Sequence, residues 1–392
     1  MAVIWRPGSV ARAQRESPVS GIVSWASLLW LRSIETLCLA FAAELVRLMP
    51  IAAKKTNKPV TAREARRRNN VDRFEPDIVK ITCTRKQHMR DLHSTKASLA
   101  RPYCSMPNAF TQFTQNHQPE KPFLKSADGE VLATYADFES ETGRYLDALS
   151  ALGINPGDRV AVQVEKSPQV LFLYFACLRG GIIYLALNTA YQKEEVSYFI
   201  EDAEPALFVA DPAKAKEATA LGAKLVHTMD REGTGSLRDL ASQSPSSDHV
   251  EPVSVDDTAV ILYTSGTTGR PKGAMITHGN IVSNTRTLCQ AWQWSSTDVM
   301  LHALPIFHVH GLFVGTHLPV MEGSSIIFLP QFQPAEILNQ LPNATVFMGV
   351  PTYYTRLLDA GISRSHTATM RLFTSGSAPL LPQTFSAFQE AT

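Results

Sequence analysis

The segment Thr264-Ser265-Gly266-Thr267-Thr268-Gly269-Arg270-Pro271-Lys272-Gly273 gathers glycines, hydroxyls and a cation within a few residues. Glycines free of Cβ let backbone N–H groups turn into one concavity, while Thr264, Ser265, Thr267 and Thr268 add hydroxyl donors. Lys272 brings a charge that can cross to a phosphate, so the segment is built to hold polyphosphate. It is not a Walker A loop, because Arg270 and Pro271 separate Gly269 from Lys272. Ser/Thr/Gly-rich surface hairpins are common, but seven specified positions at an average usage of about 0.06 each make a chance match roughly one in a million. A second concentration of chemistry is Leu304-Pro305-Ile306-Phe307-His308-Val309-His310-Gly311. An imidazole beside anionic reactants can donate to a carboxylate and to phosphate oxygens; the ordinary alternative is a neutral histidine satisfying local backbone.

These segments need a frame, and the hydrophobic pattern supplies one. Tyr135, Phe138, Tyr145, Leu146, Leu149 and Leu152 follow helical spacing, and Gly153 stands where a C-terminal cap belongs. A β-rich run at 159–164, an apolar helix at 170–178 closed by Gly180-Gly181, and a strand at 182–187 make a βαβ unit. The alternation continues with helices near 194–200 and 213–221 and strands at 206–209 and 224–227. A polar connector fills 232–257. Beyond it, strands are expected at 259–263, 300–304, 325–329, 345–350 and 371–375, interleaved with helices at 281–292, 312–321, 335–341, 353–360 and 382–390. Such alternation predicts an α/β fold with parallel-type sheets flanked by helices. Both chemical segments then follow strands, where open α/β sheets expose ligand-facing loops.

The segment YTSGTTGRPKG resembles the signature loop of the adenylate-forming superfamily, which includes acyl-CoA synthetases, luciferases and peptide-synthetase adenylation domains. The resemblance implies the large N-terminal domain of those enzymes, with Thr264, Ser265, Gly266, Thr267, Thr268, Gly269 and Lys272 on the ATP phosphates. It implies ATP, Mg²⁺ and CoA as reactants and a two-step reaction through an acyl-AMP. HALPIFHVHGLF resembles the superfamily's second core motif, whose first histidine lines the acyl and phosphate site, making His308 the catalytic candidate. With FMGVPTYYTRLL, MRLFTSGSAPLL and LRGGIIYLALNTAY, the chain resembles the malonyl-CoA synthetases more than the long-chain or coumarate ligases. Malonate keeps a second carboxylate, which needs a cation if it is buried. The resemblance assigns that clamp to Arg356, with His308 and Ser375 as supporting donors. Gly376, Ser377, Ala378 and Pro379 resemble the segment that backs the adenine and acyl site through its main chain.

The resemblance runs from about Met106 to Thr392, so 106–392 is expected to be an incomplete adenylation domain. The aromatic-Gly-x-Thr-Glu motif that supplies a Mg²⁺ carboxylate in the superfamily does not occur in the sequence, and no metal ligand is assigned here. Neither does the mobile domain with its catalytic lysine, and the 392 residues are expected to be inactive alone. Residues 1–100 carry 18 Lys and Arg against 8 Asp and Glu, and the remainder 19 against 28. The head, residues 1–105, therefore reads as a separate basic extension, and the acidic body is no platform for nucleic acid. The apolar runs 21–31 and 37–43 fall short of the roughly 18 residues of a membrane span. Five scattered cysteines without C-x-x-C indicate neither zinc nor a disulfide framework, in keeping with a reduced cytoplasmic location. Arg6, Arg12 and Arg15 leave a mitochondrial transit peptide as the alternative. The rival functions are a ligase for a short- or medium-chain monocarboxylic acid and a non-catalytic nucleotide-binding fragment.

Overall fold

Short β-branched and aromatic runs, each followed by an apolar helical stripe, assemble in the computed structural model of the protein into two sheets. The structure describes residues 3–5, 108–264 and 270–392, all in one compact unit. The first sheet has the strand order β1 (Val3–Trp5), β13 (Leu372–Ser375), β12 (Val346–Gly349), β10 (Val299–His302), β11 (Ser325–Phe328), β2 (Pro122–Lys125), β3 (Val131–Thr134). The second runs β7 (Val226–Thr228), β6 (Leu207–Ala210), β4 (Arg159–Gln163), β5 (Ile183–Ala186), β8 (Thr258–Thr264), β9 (Lys272–Thr277). Neighbouring strands from β13 to β2 and from β7 to β8 are parallel, as the alternation predicts. The edges differ: β1, β3 and β9 pair antiparallel.

The helices are α1 (Ala109–Thr114), α2 (Tyr135–Ala151), α3 (Pro168–Arg179), α4 (Lys193–Ala203), α5 (Ala215–Ala220), α6 (Ser236–Gln243), α7 (His278–Trp292), α8 (Gly315–Glu322), α9 (Pro334–Gln340), α10 (Pro351–Asp359) and α11 (Pro382–Ala391). Period-two alternation in the strands decides which face each serves. Met300, Ile326, Val346 and Leu372 enter the core between the sheets, while Leu301, Ile327, Phe347 and Phe373 enter a second core under α9, α10 and α11. Ala161, Leu185 and Phe208 make a third core with α4 and α5. Helix α3, buried from Val170 to Arg179, lies in the central layer, which is why its sequence is apolar all round. The layers therefore alternate helix, sheet, helix, sheet, helix.

Three expectations need correction, and the structure adds strands that the hydrophobic pattern does not announce. Residues 232–257 are not merely a connector, since α6 forms there and buries Leu237 and Ala241. The run after residue 270 is β9, an exposed edge strand whose Lys-Gly-Ala-Met sequence lacks the alternation of a half-buried strand. The helix expected over 312–321 begins as a π-turn, His310–Val314, before α8. Val3–Trp5, from the basic head, pairs with β13 and so contributes a strand to the body. The other readings of the head fall outside the described residues.

Candidate active site

The antiparallel pair β8–β9 is the stem of the glycine- and hydroxyl-rich loop, with Thr264 opposite Lys272. Both are exposed, and the Thr264 hydroxyl donates to the Lys272 carbonyl at 3.4 Å. Ser265, Gly266, Thr267, Thr268 and Gly269 lie outside the described residues. The stem is tied to α4 on both sides. Tyr263 donates its hydroxyl to Asp202 at 2.5 Å, and Tyr198 donates to the carbonyl of Pro271 at 3.0 Å. Phe199 packs on Tyr263 with ring centroids 4.3 Å apart. Sequence reasoning missed this tie; the only signal was Tyr198 within an otherwise unremarkable amphipathic helix and Tyr263 just before the loop.

The loops after β10, β11, β12 and β13 leave the first sheet at one edge, the C-terminal edge of its parallel strands. The π-turn brings His310 against the turn after β13. A Cβ on Gly376 would stand 2.9 Å from His310 Cε1, and Ser377 Oγ lies 3.4 Å from His310 Nδ1. A side chain at that position would force the imidazole to shift. Ser377 itself holds a left-handed φ of 66°, a conformation that costs a non-glycine residue about 1–3 kcal/mol and recurs at functional sites. Ala378 and Pro379 follow on the surface.

The two histidines differ. His308, the catalytic candidate, is exposed, packs edge-on against Phe307 at 4.6 Å, and accepts the Leu312 N–H on its carbonyl. His310 is half-buried and is the imidazole in contact with Gly376 and Ser377. Burial lowers both from the ordinary histidine value, His310 to about 4. Each is therefore neutral near pH 7 and offers an N–H donor rather than a charge.

Arg356, on the exposed side of α10, places its guanidinium 5.0 Å from the centre of the Phe332 ring. Phe332 stacks on Tyr353 at 3.7 Å with an interplanar angle of 11°. Among the described residues Arg356 has no carboxylate within ion-pair distance. Ser375 is not brought to this group. It is 2% exposed, and with Tyr354, Phe373, Leu380, Phe385, Phe388 and Gln389 it lines a cavity of about 20 Å³ beneath α11. The period of two puts it on the sheet face of Phe373, whereas Leu312 and Phe313 of the π-turn belong to the core on the other face.

Comparison with known proteins follows the same boundaries. The family model described as AMP-binding enzyme matches residues 111–392. A feruloyl-CoA synthase of Amycolatopsis is 31% identical over 255 residues, covering 64% of this chain and 50% of that protein. A mitochondrial malonate–CoA ligase of Mus musculus is 30% identical over 253 residues, covering 60% of this chain and 43% of its own. The crystal structure of ATP-bound MatB from Rhodopseudomonas palustris superposes with a TM-score of 0.71 at 45% identity, covering 73% of this chain and 58% of that one. The chain thus spans about half the length of the curated relatives it matches. With the family model matched over residues 111–392, on the two-sheet fold that carries the loop and the histidines, the chain belongs to the family of AMP-binding enzymes.

Proposed function

We propose that residues 106–392 form the adenylating body of an ATP-dependent acid–thiol ligase that activates malonate or a close short dicarboxylate, with residues 1–105 as an extension that lends this body the edge strand Val3–Trp5. The observation that carries the reading is Arg356, an arginine without a carboxylate partner among the described residues, held on Phe332 at the strand-end edge that also presents His310 and Gly376. The names of the malonate–CoA ligase relatives support it, as does the likeness to the ATP-bound MatB. In the first step a carboxylate oxygen of the acid bonds to the α-phosphorus of ATP, and the bond to the bridging oxygen breaks, releasing pyrophosphate. In the second, the CoA sulfur bonds to the acyl carbon and AMP leaves.

Nucleotidyl transfer needs position and charge stabilisation more than a protein nucleophile. Lys272 and the loop N–H groups take the β- and γ-phosphates. The neutral imidazoles of His308 and His310 donate to the reacting carboxylate or to phosphate oxygens without adding a charge of their own. Arg356 meets the distal carboxylate with two parallel N–H donors. The Gly376–Pro379 main chain backs the nucleotide. A bound divalent cation supplies charge neutralisation on the phosphates. Among the described residues no three His, Cys, Asp or Glu side chains converge as metal ligands, and no step is assigned to one.

The monocarboxylate reading is favoured by one finding, the feruloyl-CoA synthase relative, and makes Arg356 incidental. No helix among the described residues is long and apolar enough to cross a membrane; a cytoplasmic site of action is the reading kept, with mitochondrial import as the alternative suggested by the name of the mouse relative. Equilibrium binding of ATP to the 392-residue chain tests the nucleotide half. Lys272→Ala removes a charged hydrogen bond and should weaken binding by roughly 1.5–3 kcal/mol. Unaltered affinity would remove Lys272 from the phosphate site.

A further inference from the structure

Lys166 follows β4 by three residues and is 7% exposed, with no carboxylate near enough for an ion pair among the described residues. A lysine is rarely buried without one. Its Nζ lies 2.8 Å from His302 Nδ1, 2.9 Å from the His302 carbonyl and 2.6 Å from the Leu329 carbonyl, and it stands 4.3 Å from the centre of the Phe328 ring. All three acceptors belong to the ends of β10 and β11. One side chain from the second sheet therefore fastens the C-terminal edge of the first.

The contact continues. His302, fully buried at the end of β10, has its Nε2 2.9 Å from the carbonyl of Gly311. A carbonyl can only accept, so Nε2 carries the proton; Nδ1 is then bare and accepts from Lys166. Gly311 is the second residue of the π-turn, next to His310, and its carbonyl also accepts the Thr316 hydroxyl at 3.0 Å. The turn has no slack there, since a Cβ on Gly311 would come within 2.0 Å of the Pro305 carbonyl oxygen.

We propose that Lys166 is a positioning residue for this site: through His302 it holds the carbonyl of Gly311, and so keeps the π-turn where His310 meets the Gly376–Ser377 main chain. The proposal rests on the reading of that edge as the acid and nucleotide site. It has a topological counterpart, because β4, β5 and β8 end at one edge of the second sheet. The loop after β4 that carries Lys166 and the polyphosphate loop after β8 thus leave from the same side. Burial pushes both Lys166 and His302 well below their ordinary values, which keeps the imidazole neutral, while its contacts with Gly311 and Lys166 fix the tautomer.

The test is ¹⁵N-histidine NMR on the 392-residue chain, joined to equilibrium binding of ATP and of malonate. In the unaltered chain His302 should be the Nε2–H tautomer. Lys166→Met, similar in length but without a donor, should move the His310 ring resonances and weaken ATP or malonate binding about ten-fold or more. His302→Gln should move the same resonances, and the double variant should add little to either single one. Leu237→Ala, a core truncation on α6, should lower Tm and leave the His310 signals in place. An Nδ1–H tautomer for His302 overturns the proposal whatever the variants do. So does a Lys166→Met or His302→Gln chain that loses Tm as Leu237→Ala does while its His310 signals stay fixed. If the unaltered chain binds neither ATP nor malonate, the functional reading fails, and the histidine resonances still decide the link from Lys166.

Discussion

Asp298, 3% exposed and immediately before β10, accepts from Arg371 on both carboxylate oxygens at 2.6 Å and from the Thr345 hydroxyl and the Ser295 N–H, each at 2.8 Å. Burial pushes its carboxyl up, but the Arg371 fork, the Ser295 N–H and Thr345 outweigh that and hold it below the ordinary carboxylate value. A depressed folded pKa means stability that is present above the unfolded value and is lost as pH falls through the folded one. Asp298→Asn should cost about 3 kcal/mol in denaturant melts at pH 7, and the deficit should shrink in acid; a deficit constant with pH would contradict the pairing. Residues set in a recognisable pattern, such as Lys272 beside its glycine- and hydroxyl-rich loop, stand out as candidates from sequence. Lys166 and His302 were not, because a lone lysine and a lone histidine 136 positions apart carry no periodicity or motif. Ser375 was assigned by resemblance, and only the side on which β13 presents it shows that its hydroxyl faces α11.

The π-turn is the element on which the site depends. Gly311→Ala forces a Cβ into the Pro305 carbonyl, a backbone atom that cannot swing aside. It should both lower Tm and disturb the His310 signals, whereas Leu237→Ala should do only the first; a Gly311→Ala chain with wild-type Tm and spectra would mean the turn is loose. Most parallel strands and long helices were legible because their apolar spacing answers to burial on one or two faces, as in α2 and α7. The antiparallel edge strands were not: β3 leaves Val131 and Leu132 exposed and β9 leaves Met275 exposed, so neither shows a buried face to the eye. The π-turn was read as ordinary helix, since the extra residue in its turn is set by the His302 and Thr316 contacts to Gly311 rather than by local composition.

Across the whole molecule, neutral histidines are built into the packing. His278 and His317 are 2% and 1% exposed, and burial lowers them to about 4 and about 3. Because the unfolded chain takes up those protons first, stability should fall as pH drops from about 6.5 towards 4, by up to roughly 1.4 kcal/mol per pH unit for each ring. Melts between pH 7.5 and 5 should show Tm declining throughout, and a flat profile would mean the folded chain takes up these protons as readily as the unfolded one. The central claim is that this edge of the fold selects a second carboxylate. Calorimetric titration of malonate and of propionate into the ATP-saturated 392-residue chain, with Arg356→Ala and Arg356→Lys beside it, tests that most directly. Malonate should bind more tightly than propionate; Arg356→Ala should weaken malonate by about 2–5 kcal/mol with little change for propionate, and Arg356→Lys should lie between. Equal affinities for the two acids, or equal losses for both in Arg356→Ala, would contradict it.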